Sequence, residues 1–547
     1  MIRDFARHVS QFEAEAGNQP VAVRKLDKSS WQCASCAGPL TVRYTVYAFD
    51  DSVRAAWLDA TRGFFNGSVV FVQARGHAGL PVMLAIERPL GVDGSLWRVG
   101  TTLRSAGAAS WGFGQYAAAN YADLIDHPVE LGQFDVLEYE ACGVPHQMLL
   151  SGRHRADTAR LAADLGRICA EQIELFGAPA PMRRYQFLTR VAKKGYGGLE
   201  HRDSSALICT REDLPIGGEA ALSRGYRSFL GLCSHEYFHL WNVKRIQPQA
   251  FAESDLGREA YTEDLWAYEG VTSYYDDLTL IRSGVIDLNG YCELVAEAAT
   301  RLWRTPGRLQ QSLAASSFDA WTKFYRPDEN TPNAVVSYYN KGALVSLCLD
   351  LKLRLESAGC CNLDQVMRVL WQHYGQTGCP VPERALEVLA QEISGLDLRD
   401  YFERMIRGTE DPPLCELLPA FGIEAQLCLT PGSAGRAGVN LGLRLMPGVV
   451  QAQVQHVLDD TPAQVAGLSA NDVLVALDGL RVEGPELDRL LSAYAPGDTV
   501  HLHVFRHDEL MEFDVVLAPR TPDTWVLRPR PDADAEVLAR RKAWLRQ

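Results

Sequence analysis

The sequence predicts a multidomain α+β chain. It divides into an all-β N-terminal domain over residues 1–153, a mainly helical domain over 154–425, a small mixed module over 426–520 and a tail over 521–547. Three observations lead to this. The 547 residues suggest about three to four domains. Hydrophobic periodicity changes twice, from alternation to a helical repeat and then to short strands set off by turn residues. The hydrophobic share is 47% and the charged share 22%, ordinary values for a globular chain.

The elements follow in order. Leu40–Tyr47, Gly67–Val72 and Val82–Ile86 alternate or run apolar between Gly, Pro and Asp, and read as strands. Asp157 to Phe176 carries Leu161, Leu165, Ile168 and Ile173 on a helical period. Tyr185–Thr189 reads as a strand, followed by a glycine-rich turn at Gly195–Gly198. Tyr226 to Met405 is mostly helical, with loops near Gly257, Thr305 and Pro327. Thr430–Gly435 reads as a linker. Beyond it come a short helix at Thr461–Leu468, a strand and hairpin turn through Val473–Gly479, a helix near Leu487–Tyr494, and strands His501–Phe505 and Met511–Leu517. A last helix is expected at Asp534–Arg546.

Composition excludes several classes. With 54 Lys and Arg against 68 Asp and Glu, the net charge is −14. Nucleic-acid and anionic-membrane surfaces need a basic excess, so no nucleic-acid partner is expected. No apolar run reaches the roughly 18 residues of a spanning helix, and Met1–His8 has no apolar signal core. Thirteen cysteines, an odd number scattered from Cys33 to Cys428, fit a reducing compartment, and the expectation is a cytoplasmic protein. Cys33 and Cys36 form a CxxC with no second pair at zinc-ribbon spacing, and read as structural.

The strongest chemical signal is His235-Glu236-Tyr237-Phe238-His239. On a helix, positions i and i+4 lie about 40° apart around the axis and about 6 Å apart along it, so both imidazoles reach one metal. Glu236 flanks the same point. Its apolar neighbours, including Phe229, Leu230, Leu240 and Trp241, suit a buried helix, where charge is costly unless paired or metal-bound. Chance yields about 0.02 such motifs in a chain of this composition. A hydrolytic zinc site needs a third protein ligand and an open position. Glu269, in an apparent helix with Thr262 as N-cap, is the candidate, and Glu259, Glu263 and Asp264 compete with it. Gly270 within that helix costs about 1 kcal/mol against Ala, which close packing against another backbone would rationalise.

His235–His239 followed by Trp266-x-x-Glu269-Gly270 resembles the gluzincin metallopeptidases. The run from His235 to Ile246 resembles the glycyl aminopeptidase family, zinc peptidases with a C-terminal PDZ domain, as do Arg3–His8, Gly63–Gly67 and Gly197–His201. The resemblance implies a thermolysin-like catalytic domain holding one zinc ion per chain on His235, His239 and Glu269. It implies Glu236 as general base and Tyr339, in Tyr339-Asn340-Lys341-Gly342 beside Tyr338, as oxyanion donor. It further implies a substrate-binding strand at Gly197 and Gly198, with Glu200 on the free α-amino group. The expected substrates are peptides with N-terminal glycine or alanine. Asn440–Leu445 and Thr461–Leu468 resemble a PDZ domain of the bacterial protease type. That places the peptide C-terminus at Leu441, Gly442 and Leu443, where strand addition is the expected mode. Family members carry further strand sequence before the Arg3–His8 segment, so either the start has been assigned too late or the N-terminal domain lacks its first strands. The competing readings are a zinc endopeptidase and a catalytically silent scaffold that binds peptides through the PDZ module.

Overall fold

A computed structural model of the chain describes residues 2–90, 94–218, 221–430 and 438–547. The linker expected at Thr430–Gly435 lies, beyond Thr430, outside the described residues.

The N-terminal part is built of small antiparallel sheets. Val9–Ala16 is flanked by Gln19–Val21 and Leu40–Val46. Val82–Ile86 pairs with Gly114–Ala118, and Arg62–Phe65 and Val129–Gly132 form the centre of a four-stranded sheet. One expected strand is not present. Gly67–Val70 is a single helical turn that starts after Asn66. A Cβ on Gly67 would lie 2.7 Å from the Ile125 Cα, so the turn abuts the backbone at the end of the short helix Tyr121–Ile125. Apolar runs this short do not distinguish strand from buried helix.

The expected boundary at residue 153 also shifts. The hairpin Asp135–Ala141 and Val144–Ser151 belongs to the sheet of the middle domain. There Val144–Ser151 runs parallel to Tyr185–Ala192, which runs parallel to Ser204–Thr210. Gly197–Glu200 closes that sheet as an antiparallel edge strand, so the expected glycine-rich turn continues into a strand. The helix Thr158–Phe176 starts at Asp157, whose side chain accepts from the Arg160 N–H. It buries Leu161, Leu165, Ile168 and Ile173. Helices Arg224–Phe238, Val271–Arg282 and Asn340–Glu356 share one large core with it.

The C-terminal module has a core of its own, with Val454, Leu474, Leu502, Val504 and Val515 at its centre. Its helix Pro462–Ala466, strand Val473–Leu477 and final hairpin Thr499–Arg506 and Glu509–Val516 stand close to where the periodicity places them. Its boundaries differ from the expected 426–520. Ile423–Cys428 pairs along its length with Thr524–Pro529, and helix Ala535–Leu545 packs against the large helical core, burying Trp544 completely. Arg282 donates to the Trp544 carbonyl at 2.8 and 3.1 Å and to the Asp364 carboxylate at 3.0 and 3.1 Å. The expected tail thus supplies a strand and a helix of the middle domain, and the module is inserted between two of its strands.

Candidate active site

Helix Arg224–Phe238 is capped by the Ser223 hydroxyl, which accepts from the Tyr226 N–H, and ends at His239. The two histidines therefore occupy its last turn. Glu269 lies in a turn of π-helix, Trp266–Gly270, that opens the next long helix; such bulges are frequent at functional sites. Thr262 does not cap this helix. Its hydroxyl accepts from the Asp264 N–H ahead of the first turn.

The Nε2 atoms of His235 and His239 face each other at 3.1 Å. Glu269 Oε2 lies 3.4 Å from the first and 3.2 Å from the second. The other nitrogens are engaged, His235 Nδ1 with Asp276 Oδ2 at 2.9 Å and His239 Nδ1 with the Asn242 carbonyl at 2.7 Å. A carbonyl accepts, as does a carboxylate oxygen, so both Nδ1 atoms carry a ring proton, and in the neutral, metal-binding form of each imidazole Nε2 presents the lone pair. Glu269 Oε2 is buried with no hydrogen-bond partner among the described residues. Three acceptors thus converge with nothing between them to donate. Zinc bonds of about 2.0–2.1 Å in a tetrahedron place neighbouring ligand atoms about 3.3 Å apart. The spacing here fits that donor set. The competitors lie elsewhere: Glu259 accepts from the Tyr261 hydroxyl, Glu263 pairs with Arg384, and Asp264 accepts from the Arg384 N–H.

Glu236 is buried, and its Oε2 has no hydrogen-bond partner among the described residues. Burial pushes its carboxyl up to about 7. The edge strand Gly197–Glu200 passes over it so closely that a Cβ on Gly198 would lie 2.5 Å from Glu236 Cγ and closer still to the carboxylate. Glu200, Glu236 and His239 each bring a polar atom within 4.8 Å of the others. Asp126 of the N-terminal part fastens this arrangement. It accepts from Lys244, just past the second histidine, at 2.7 Å and contacts His201, which follows the edge strand, at 3.2 Å.

Tyr339 lies on the opposite wall, its ring 6.2 Å from that of His235. Its hydroxyl is 3.3 Å from that of Tyr325, to which the buried Tyr338 hydroxyl also donates at 3.2 Å. Burial, then the nearby Glu269 carboxylate, pushes the Tyr339 phenol well up, so it keeps its proton. The close approach expected at Gly270 is present. A Cβ there would lie 2.6 Å from the Gly342 Cα and 2.8 Å from the Tyr338 carbonyl, so the Glu269 and Tyr339 helices meet glycine to glycine.

Three participants carry no role in the sequence reading. Asp276 follows Glu269 by seven residues, two helical turns on one face, a spacing that marks it. Asn242 donates to the Ala267 and Tyr268 carbonyls, both at 3.1 Å, and ties the histidine motif to the Glu269 turn. Tyr325 joins the two neighbouring tyrosines. In the PDZ-like module, the Leu441 side chain is buried, the Gly442 N–H donates to Asn440 at 2.9 Å, and Leu443 pairs with Val457. The Gly442 N–H of the expected carboxylate loop is therefore already engaged.

Comparison with known proteins gives three family matches. The M61 glycyl aminopeptidase model matches residues 228–345, its N-terminal domain residues 1–133, and a PDZ domain residues 439–517. The crystal structure of an aminopeptidase N family protein from Idiomarina loihiensis is 40% identical with a TM-score of 0.94, over 100% of this chain and 93% of that one. An M1 zinc metallopeptidase from Deinococcus radiodurans overlaps 74% of this chain and 85% of its own at 16% identity and a TM-score of 0.47. A probable periplasmic serine endoprotease, DegP-like, from Brucella suis is 36% identical over 85 residues, 15% of this chain. The chain spans about a sixth (16%) of the length of that curated relative.

Proposed function

Given that the chain belongs to the M61 glycyl aminopeptidase family, we propose that it is a zinc aminopeptidase releasing small N-terminal residues, glycine or alanine, from peptides. One observation carries the reading. Three converging acceptors, His235, His239 and Glu269, lie beside a buried free carboxylate, Glu236, under a glycine-rich sheet edge that ends in Glu200.

His235, His239 and Glu269 would hold the zinc. Bound there, zinc supplies Lewis acidity toward water and the scissile carbonyl. Glu236 takes a proton from the attacking water and delivers it to the leaving amine, a task suited to a carboxyl whose pKa burial has raised toward neutrality. The Tyr339 phenol donates to the oxygen on which negative charge develops. Gly197 and Gly198 let the substrate backbone lie along the sheet edge. Glu200 pairs with the substrate's α-ammonium group, which restricts cleavage to the first peptide bond. Asp276 and Asn242 hold the two imidazoles by their outer nitrogens. The preference for glycine follows the family's description, and alanine is included as the next smallest side chain.

The test is hydrolysis of glycyl, alanyl and leucyl amides, free and N-acetylated, by zinc-loaded wild type and Glu236→Gln. Cleavage of the free glycyl and alanyl amides, abolished by acetylation and by the substitution, is the expected result. Turnover of acetylated peptides would replace the aminopeptidase assignment with an endopeptidase. Absence of turnover with zinc bound would leave a peptide-binding scaffold.

A further inference from the structure

The final hairpin of the PDZ module carries a second group of metal-ligating side chains, remote in sequence from the first. His501 and His503 alternate onto one face of strand Thr499–Arg506. Across the antiparallel ladder, His503 is opposite Glu512 and His501 opposite Asp514, which brings all four to one face. The Glu512 carboxylate lies between the imidazoles, 3.6 Å from His501 Nε2 and 3.5 Å from His503 Nε2. These separations exceed an ordinary hydrogen bond, so the carboxylate straddles two ring nitrogens and bonds to neither.

The ring arrangement is like that of the active site, although here the two Nε2 atoms face different oxygens of one carboxylate. The His501 and His503 rings meet edge to face at 87° with centroids 4.8 Å apart; the His235 and His239 rings meet at 87° and 4.6 Å. His501 Nδ1 is 2.9 Å from Asp514, as His235 Nδ1 is 2.9 Å from Asp276. In both places two imidazoles present Nε2 to one carboxylate, and an aspartate fixes the outer nitrogen of one ring. One pair sits on a helix and the other on a hairpin, so shared backbone geometry does not account for the likeness. Asp478, which accepts from the His501 backbone N–H at 2.7 Å, adds a further negative charge nearby.

We infer that His501, His503 and Glu512 bind one divalent transition-metal ion, a second metal site per chain and separate from the active site. Two imidazoles and one carboxylate favour Zn2+, Ni2+ or Cu2+ over Mg2+ or Ca2+. Glu512 is 60% exposed and His501 41%, which leaves remaining coordination positions to water. The site is therefore weaker than the buried one. His503 Nδ1 also lacks a hydrogen-bond partner among the described residues, whereas both active-site imidazoles are held. A bound ion would staple the last two strands of the module.

The experiment is zinc titration of the full chain after chelator stripping, read by calorimetry and by competition with a chromophoric chelator. Wild type is expected to take up two equivalents. His501→Ala/His503→Ala should take up one and hydrolyse a glycyl amide at the wild-type rate. His235→Ala/His239→Ala should keep the weaker equivalent, which separates this site from the active-site reading. Glu512→Gln should weaken it by about tenfold or more. Thermal melts of the stripped proteins confirm that each variant folds. A single equivalent in wild type through millimolar zinc, or a second equivalent that survives in His501→Ala/His503→Ala, would overturn the inference.

Discussion

Gly198→Ala isolates the position of one carboxylate from everything else in the active site. The new Cβ would fall 2.5 Å from Glu236 Cγ, where ordinary van der Waals contact begins at 3.4 Å. One of the two must retreat by at least about 0.9 Å, the difference between these distances, and the carboxylate, which is closer still, by more. The strand is laddered to Ser204–Thr210 through Gly198 and Leu207, so the side chain of Glu236 gives way. Backbone strain does not enter, because Gly198 has an ordinary φ while its neighbour Gly197 stands at +150°. Misplacing a reacting group by about 1 Å costs about 100-fold in rate, or about 2.7 kcal/mol of barrier. The expected outcome is a fall of that size in kcat/KM on a glycyl amide. Zinc content and melting temperature should stay at wild-type values, since neither the three converging acceptors nor the core is touched. Activity within about threefold of wild type would refute the claim that this strand sets the Glu236 carboxylate.

Three further outcomes test the surrounding structure. Asp276→Ala removes the acceptor behind His235 and should weaken zinc binding by about 10–100-fold, measured by chelator competition; unchanged affinity would exclude it as an orienting group. Tyr339→Phe should lower kcat by about 100-fold or more with KM little changed, while Tyr338→Phe, whose hydroxyl turns to Tyr325, should lower it far less; equal losses would count against Tyr339 as the oxyanion donor. His146 is buried beneath the motif, bonded to the Tyr237 hydroxyl at 2.9 Å, and burial pulls its pKa down to about 4 from 6.5. The unfolded chain therefore binds a proton that the folded chain refuses. Stability from this group is complete above pH 6.5 and declines toward pH 4, by about 3 kcal/mol in all. Denaturant midpoints of wild type and His146→Phe across that range should show the steeper fall in wild type, and parallel curves would refute it.

The parts of the protein legible in its sequence are those whose signal is local. The HExxH spacing and the period of Thr158–Phe176 each lie within a few helical turns, and both stand in the structure as read. Gly270 was legible as a backbone contact because glycine in a helix needs a reason, although its partner, Gly342, was not. What escaped depends on distant partners. The alternation of Asp135–Ser151 marks strands without saying which sheet they join, so the hairpin was grouped with the strands before it. Thr524–Pro529 looks like tail until Ile423–Cys428 lies beside it. Asp276 resembles any carboxylate on a helix surface until His235 is placed against it.

The insertion of the PDZ module has a consequence for the order of synthesis. Its two ends meet, with Thr430 donating to Asp523 at 3.0 Å and Arg304 reaching both Thr430 and Thr524. The strand and helix that complete the catalytic core therefore leave the ribosome after the whole module. Domains generally fold as units in order of emergence, and here a unit begun early cannot close until Thr524–Pro529 and Ala535–Leu545 arrive. Trp544 and the carbonyl that receives Arg282 are among those residues. Arg282 ends the helix that bears Asp276 and follows Glu269. The nascent chain thus carries a folded PDZ module before residues 524–545 arrive to complete the core around the candidate active site.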